Sequence, residues 1–360
     1  MNIIRSAIRS GISGITRFWH PYSRIFMVSD SDHWVISWEM KEVSQIAKKL
    51  GKQVAPSSLL PFMDGQCVFL GSHFDLLLND KWFHTSCRLA TAYFHGRPGA
   101  GNREFDICFE NLQKHHDQIT RIQVSHIDMH NLVLMTGIDP KKVYLIPIGI
   151  NSSYFTEQNP EMKFSAREKY GIPQQAVVIG SFQKDGMGWG EGMEPKLIKG
   201  PDIFIETLSL LKPKIPDLFV LLSGPARGYV KSELDKLNIP YKHCFLRDYK
   251  RIGELYHCLD IYLVASREEG GPKSILESMI CGIPLVTTRV GQATDIVKHG
   301  ENGWMVDIDD VNGLVASVEH ILNHPEQMAN IKIAALSTAK AHTYDAQIPL
   351  WSRFFDGFIE

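Results

Sequence analysis

The sequence comprises 360 residues, of which 44% are hydrophobic and 22% charged, a composition typical of a folded protein and too apolar for a disordered chain. At about 150 residues per domain, this length predicts two domains. Because 38 Lys and Arg residues face 40 Asp and Glu residues, the chain has no general positive field, which argues against nucleic acid as a partner.

The N-terminal segment is basic and free of acidic residues from Met1 to Ser29. A helix over this segment would gather four isoleucines on one stripe, namely Ile4, Ile8, Ile12 and Ile15. Residues 1–20 are therefore a candidate for peripheral contact with a membrane. The alternative is an extension that packs on the first domain.

Three features of the sequence indicate a cytoplasmic protein. No run approaches eighteen consecutive apolar residues, and the first thirty residues lack the core of a signal peptide. The six cysteines are widely spaced without a C-x-x-C pair, which is typical of reduced thiols. We expect a cytoplasmic location, with residues 1–20 as the candidate for peripheral association with the inner face of the membrane.

Short β-rich runs alternate with helical patterns along most of the chain. The first half has predicted strands at 24–28, 66–71, 89–94, 119–124 and 142–147, with helices such as 37–50 and 104–116. The second half has predicted strands at 176–181, 217–223, 243–247, 260–265, 283–287 and 303–306. This alternation predicts βαβ units and a mostly parallel sheet in each half. The fold class is therefore α/β.

Two irregular segments interrupt this pattern. The turn-rich residues 149–160 predict the hinge between the halves. The glycine-rich residues 186–195 predict a flexible loop near a ligand within the second half.

The most informative motif follows the apolar run 261–265. Glu269 and Glu277 are separated by seven residues that begin Gly270-Gly271-Pro272-Lys273-Ser274-Ile275. The glycines permit close backbone approach, and the proline favours the first turn of a helix. The N–H groups of that turn suit a diphosphate, and the two carboxylates suit sugar or ribose hydroxyls.

A second motif begins a helix in the same half. Lys199 and Gly200 precede Pro201 and Asp202, which fit the first turn of a helix over 203–211. A lysine beside a helix N-terminus is a good partner for a β-phosphate that carries developing charge.

Together these residues resemble the nucleotide-sugar site of the family 4 retaining glycosyltransferases of GT-B fold, also described as glycosyl transferases group 1. The resemblance rests on Glu269, Glu277 and Lys199, on Gly282 and Pro284 after the motif, and on the turn at 302–303. It covers roughly residues 90–325. It implies two Rossmann-like parallel-sheet domains that face a central cleft, with a C-terminal helix crossing back to the first domain.

The resemblance also implies the domain roles. Residues 1–158, joined by a crossing helix at 343–360, would form the acceptor-side domain, and residues 159–342 would bind the nucleotide sugar. His95, after the strand at 89–94, is similar to the family's histidine that contacts the transferred sugar. His95, Glu269 and Lys199 are thus the predicted catalytic residues. The predicted donor-binding residues are Lys184, Gly270, Gly271, Pro272, Lys273, Ser274, Ile275 and Glu277.

The sequence departs from the family pattern in two places. The usual Gly-Arg pair after the strand at 176–181 is missing, and Lys184 is the candidate for the second positive charge. The usual glycine-rich loop after the first strand is replaced by Ser29-Asp30-Ser31-Asp32. Asp30 and Asp32 admit a metal-binding interpretation, but the rest of the chain does not fit the fold of the metal-dependent glycosyltransferases. His126 and His130, on a predicted helix, admit another, but no third ligand has suitable spacing.

The sequence thus predicts an enzyme that transfers a sugar from a nucleoside-diphosphate sugar to a glycan or lipid-linked acceptor, in cell-surface polysaccharide or glycoconjugate synthesis. We expect retention, and no metal or other cofactor. Two alternatives stay open. One is a catalytically silent GT-B relative that binds nucleotide sugar or a partner enzyme, and the other is a sugar-nucleotide epimerase.

Overall fold

A computed structural model describes residues 20–29 and 35–360 of the chain. The predictions on Asp30, Asp32 and the basic segment up to residue 19 lie outside the described residues. Among the helices that are described, none combines the length and the apolar character needed to cross a membrane.

The chain forms two compact units. One contains the residues up to Pro147 together with Tyr344–Glu360, and the other spans Ile148–Thr343. The predicted first boundary, at residue 158, is wrong because residues 148–158 belong to the second unit. Ile150 forms a β-bridge with Thr343, and Phe155 is buried in the core of that unit. The turn-forming residues of this segment indicated a linker, whereas its apolar side chains anchor it.

The first unit contains a parallel six-stranded sheet in the order β2-β1-β3-β4-β5-β6. Its strands are β1 (Arg24–Val28), β2 (Gln53–Val54), β3 (Cys67–Leu70), β4 (Arg88–Ala92), β5 (Ile119–Val124) and β6 (Val143–Leu145). Its helices are α1 (Val35–Lys49), α2 (His73–Leu77), α3 (Arg103–His115) and α4 (Ile127–Leu134), with α13 (Ile348–Phe355) from the C-terminal segment. Short 3₁₀ turns lie at Ser57–Phe62, Asp80–His84, His116–Gln118 and Pro140–Lys142. The predicted strands of this half are confirmed, and β2 was not predicted.

The second unit contains another parallel six-stranded sheet, in the order β12-β11-β10-β7-β8-β9. Its strands are β7 (Val177–Phe182), β8 (Leu218–Ser223), β9 (Tyr241–His243), β10 (Ile261–Val264), β11 (Leu285–Thr288) and β12 (Trp304–Val306). Its helices are α5 (Pro160–Tyr170), α6 (Pro201–Leu211), α7 (Gly228–Lys236), α8 (Ile252–Tyr256), α9 (Lys273–Ile280), α10 (Ala293–Ile296), α11 (Val311–Asn323) and α12 (Met328–Ala341). Its 3₁₀ turns lie at Ser152–Tyr154, Leu197–Lys199, Tyr249–Arg251 and Pro325–Gln327.

Two sequence-based assignments differ from this architecture. The strand predicted at 243–247 is observed at Tyr241–His243, because pairing with β8 begins at Pro240, whose carbonyl accepts from Val220 N–H. The chain then leaves the sheet, and Phe245 is exposed. His126 is not on a helix, because it precedes α4 as its N-cap residue.

The C-terminal segment completes the core of the first unit. Helix α13 packs on α1, and its aromatic side chains are buried beside β3. The Phe354 ring lies 5.3 Å from Phe69 and 5.2 Å from Tyr144, measured between ring centroids. The aromatic residues of this segment therefore pack within the first unit.

Candidate functional site

The site in the second unit lies where β7 and β10, which are neighbours in the sheet, end. An ion pair joins the loops that follow these strands, since Lys199 Nζ lies 2.6 Å from Glu269 Oε2. Ser266 Oγ donates to the other oxygen of Glu269 at 2.9 Å. The side chain of Lys199 is 24% exposed and that of Glu269 is 11% exposed, so both groups remain accessible. The structure thus brings together two of the three predicted catalytic residues.

Close backbone contact allows this pairing. The N–H groups of Arg267 and Glu268 donate to the Ile198 carbonyl at 2.9 and 3.1 Å. Gly200 has a φ of 61°, and a Cβ at this position would lie 1.8 Å from the Ala265 carbonyl oxygen. Only glycine therefore fits between Lys199 and helix α6.

Arg267 links the loop after β10 to the start of α6. No role was predicted for this residue from the sequence. Its guanidinium makes two hydrogen bonds to the Asp202 carboxylate, at 2.7 and 2.8 Å, and a further ion pair of 2.7 Å with Asp309. These hydrogen bonds hold the pKa of Asp202 below its usual range. Asp202 is therefore engaged by Arg267 at the start of α6.

Two further lysines surround Lys199. Burial and then repulsion from Lys199 lower the pKa of Lys184, and burial followed by repulsion from Lys199 and Lys184 lowers that of Lys196. The Lys184 ammonium lies 4.7 Å from the centroid of the Trp189 ring, a cation–π contact. Over the residues that the structure describes, the Lys196 ammonium has no hydrogen-bond or ion-pair partner.

Sequence reasoning missed Lys196, although a signal was present. Lys196 and Lys199 are three residues apart, and Leu197–Lys199 form a 3₁₀ turn with Lys196 at its start. Side chains three residues apart lie on the same face of such a turn. The turn therefore presents two lysines together.

The glycine-rich loop after β7 is anchored at its two ends. Gly186 and Pro195 form an antiparallel bridge, and Gly192 packs directly on the backbone of Ala226. Arg227, which is 1% exposed, forms a 2.9 Å ion pair with buried Asp185. Burial raises the pKa of Asp185, and the Arg227 charge opposes that shift. Gly186 and Gly192 permit close packing, whereas Gly188 and Gly190 have no neighbour within 4 Å of an added Cβ, so flexibility of the loop tip stays a prediction.

Arg227 also holds the ends of two strands, and it was missed by sequence reasoning. Its guanidinium donates to the carbonyls of Ser181 at 2.6 Å, Ser223 at 2.8 Å and Gln183 at 3.2 Å. One buried arginine thus fixes the carboxyl ends of β7 and β8 beside the three lysines.

Helix α9 begins beyond the Gly270-Gly271-Pro272 turn. Gly291 packs against the carbonyls of Glu269 and Gly270, and Gly271 faces the buried Gln292 side chain. Of the predicted donor-binding residues, Gly271, Pro272 and Ser274 are half-buried, whereas Gly270, Lys273 and Ile275 are buried. The Ile275 side chain belongs to the hydrophobic core, so only its backbone can face a ligand.

Glu277, in the second turn of α9, is 4% exposed. Its Oε1 accepts a hydrogen bond from the Tyr249 hydroxyl, and its Oε2 accepts one from the Tyr256 hydroxyl at 2.8 Å. Burial raises the pKa of Glu277, and the two tyrosines and Lys273 oppose that shift. The two tyrosines were not predicted, because 28 and 21 residues separate them from Glu277.

His95 lies in the first unit, after β4, as the sequence predicts. Its ring is surrounded by aromatic rings, with centroids 5.6 Å from Phe74, 5.7 Å from Phe105 and 5.9 Å from His73. His73 is 2% exposed and stacks on Tyr93, and its Nε2 has no hydrogen-bond partner. Burial, with His95 nearby, lowers the pKa of His73 well below its usual range. Sequence reasoning missed this second histidine.

Within residues 20–29 and 35–360, no three His, Cys, Asp or Glu side chains are grouped so that they could hold a metal ion. The expectation of metal independence stays a prediction.

A comparison with protein families agrees with this site. Residues 194–337 match the family described as glycosyl transferases group 1. The matched segment contains Lys196, Lys199, Glu269 and Glu277. The narrower assignment to family 4, with retention, stays a prediction.

Curated relatives match over part of their length. The lipopolysaccharide core biosynthesis mannosyltransferase LpsB of Rhizobium meliloti (strain 1021) is 24% identical over 214 residues, which is 57% of this chain and 54% of that protein. A D-inositol 3-phosphate glycosyltransferase of Stackebrandtia nassauensis is 25% identical over 226 residues, covering 59% of this chain and 48% of that protein. The chain therefore spans about half the length of the curated relatives it matches.

A solved structure shares the fold over nearly the whole chain. The Anabaena protein HepE, solved in complex with UDP-glucose, has a TM-score of 0.73 at 15% sequence identity, over 93% of this chain and 99% of that one. The predicted GT-B fold class is confirmed.

Proposed function

We propose that this protein is a retaining glycosyltransferase that transfers a sugar from a nucleoside-diphosphate sugar to a glycan or lipid-linked acceptor. The observation that carries the proposal is the pairing of Lys199 with Glu269 at the ends of β7 and β10, beside Lys196 and Lys184. This cluster combines the charge that a diphosphate requires with a carboxylate that suits sugar hydroxyls.

The diphosphate would bind at the lysine cluster. The Lys199 ammonium has three N–H donors, so it can keep its contact with Glu269 and still donate to phosphate oxygens. Helices α6 and α9 both begin at this edge of the sheet, and their N-termini add positive potential. Within the described residues, Lys196 offers a second ammonium without an internal partner, in place of the arginine that the family pattern has and this sequence lacks.

The reaction requires stabilisation of the leaving group. The bond between the anomeric carbon and the phosphate oxygen breaks as the acceptor oxygen approaches on the same face of the sugar. The acceptor's proton passes to the departing phosphate oxygen, and the nucleoside diphosphate leaves with the bonding electron pair. Positive groups fixed beside that oxygen lower the barrier because the charge develops only in the transition state. Lys199 and Lys196 would supply this stabilisation, and no metal ion is part of the proposal.

The relatives support the substrate class. LpsB is named for lipopolysaccharide core synthesis, and HepE was solved with UDP-glucose. A saccharide or lipid-linked acceptor in cell-surface polysaccharide or glycoconjugate synthesis is consistent with both names. The predicted role of His95, contact with the transferred sugar, stays a prediction from the family resemblance.

The test measures turnover after the central ion pair is removed. A panel of UDP- and GDP-linked sugars is incubated with extracted lipids and glycans, and release of UDP or GDP and the mass of the product are followed. Lys199→Met is expected to lower kcat/KM for the best donor by about 100-fold or more, as loss of one preorganised donor does elsewhere. Glu269→Gln is expected to lower it as well, because the carboxylate no longer accepts from both the sugar and Lys199.

The control uses another ion pair in the same unit. Lys214 Nζ lies 2.9 Å from Glu319 Oε2, far from the site, so Lys214→Met and Glu319→Gln should retain wild-type turnover. Wild-type turnover by Lys199→Met would contradict the proposal. Tight nucleotide binding without turnover of any donor would instead favour a catalytically silent relative.

A further inference from the structure

The carboxylate of Glu277 is closed off by two tyrosines that differ in their surroundings. Tyr256, on α8, is fully buried, with ring centroids 4.9 Å from Phe182 and 5.3 Å from Tyr262. Tyr256 therefore cannot leave Glu277 without opening the core of the second unit.

Tyr249 is attached less firmly. It is half-buried and lies in the 3₁₀ turn Tyr249–Arg251, which precedes α8. The rings of Tyr154 and Phe155 lie edge-on to it at centroid distances of 6.4 and 6.5 Å. Tyr249 packs at the edge of the second unit's core and is partly exposed, so rotation of its side chain toward solvent can uncover Glu277 without opening that core.

The chemistry of Glu277 explains why a tyrosine closes it. A buried carboxylate that lacks hydrogen-bond donors is strongly destabilising. Tyr256 and Tyr249 supply one donor to each oxygen. A ribose hydroxyl is a donor of the same type as the Tyr249 hydroxyl, so either group can satisfy Oε1.

We propose that the Tyr249 hydroxyl is an internal substitute for a ribose hydroxyl. Tyr249 closes Glu277 in the ligand-free protein and is displaced when the ribose of a nucleotide binds. This inference rests on the proposed function, because it takes the ligand of that site to be a nucleoside diphosphate. Displacement lowers the affinity for every ligand that uses Glu277, and a ligand without ribose hydroxyls leaves Tyr249 in place.

The test compares ribonucleotides with analogues that lack both hydroxyls. Calorimetry gives the Kd of UDP, GDP and their 2′,3′-dideoxy forms for the wild-type protein and for Tyr249→Phe. With the internal competitor removed, Tyr249→Phe should bind the better ribonucleotide about fivefold more tightly, the equivalent of one ordinary hydrogen bond. Its affinity for the dideoxy form should not change. Tyr249→Leu, which also lacks the hydroxyl, should give the same pattern.

The matched control is another half-buried tyrosine bonded to a glutamate. Tyr170 Oη donates to Glu254 Oε2 at 2.5 Å in the same unit, and Tyr170→Phe should leave all four affinities unchanged. Unchanged or weaker ribonucleotide binding by both Tyr249 variants would overturn the substitution proposal alone. An equal gain for the ribo and dideoxy forms would also overturn it. If the wild-type protein and both Tyr249 variants bind neither UDP nor GDP, the proposed function fails together with it.

Discussion

Lys184 and Lys196 both lie near Lys199, but their surroundings differ. The Lys184 ammonium rests on the Trp189 ring, whereas Lys196 begins the 3₁₀ turn that ends at Lys199. Burial, followed by repulsion from Lys199, lowers the pKa of both groups. A bound anion would relieve this repulsion, and Lys196 would gain the more from it because it has no internal partner in the described structure.

We therefore expect Lys196→Met to weaken binding of UDP or GDP by about tenfold or more, the effect of losing one charged hydrogen bond. Lys184→Met should weaken it by about threefold or less, because the indole already contacts that ammonium. Calorimetric titration of the two variants side by side, at low and at moderate salt, measures the difference.

The reverse order of the two variants would contradict this interpretation. A large loss in Lys184→Met with normal binding by Lys196→Met would show that Lys184 supplies the second charge, as the sequence predicts. Equal, small losses in both would leave Lys199 as the main diphosphate ligand.

At the scale of elements, the junction between the turn 197–199 and helix α6 depends on one glycine. Gly200 adopts a left-handed conformation and packs against Ala265, which is what allows Lys199 to reach Glu269. Gly171, at the end of α5, adopts a similar conformation with φ 65° but has no neighbour within 4 Å of its added Cβ. Alanine substitutions at these two positions therefore separate the effect of the left-handed conformation from the effect of crowding by a neighbour.

Gly171→Ala is expected to lower the free energy of unfolding by about 1 kcal/mol, the energy needed to place alanine in the left-handed conformation. Gly200→Ala should cost about 3 kcal/mol or more, because the methyl group must also push Ala265 away. Urea unfolding of both variants measures these free energies. Equal destabilisation by the two substitutions would mean that the contact with Ala265 relaxes freely.

The elements also show how far the sequence alone can lead. The periodic strands and the Lys199 and Glu269 motifs were predictable because each is encoded locally. Contacts between distant segments were not predictable from the sequence, and these contacts account for the errors. Asp185, at the start of the glycine-rich loop, is paired with Arg227, more than thirty residues away, and Glu277 is covered by Tyr249. Neither pairing leaves a periodic or spaced pattern in the sequence.

At the scale of the whole molecule, the chain leaves the first unit at Pro147 and returns to it at Tyr344. The returning segment supplies Trp351, Phe354, Phe355 and Phe358 to a core whose other members come from the first sheet and helix α1. The second unit has separate clusters, which include Phe204 of α6. Each unit thus has an apolar core of its own, although only one of them is continuous in sequence.

Separate cores predict separate stabilities. Phe354→Ala removes a fully buried ring from the first unit, and Phe204→Ala removes one that is 1% exposed from the second. Each change should cost about 3–5 kcal/mol in its own unit. Amide hydrogen exchange measured by mass spectrometry distinguishes the stability of the two units, because protection from exchange reports local as well as global opening. In Phe354→Ala, strands β3 and β4 should exchange faster while β7 and β8 keep their protection, and Phe204→Ala should give the reverse. Loss of protection in both sheets from either substitution would mean that the two units unfold as one cooperative body.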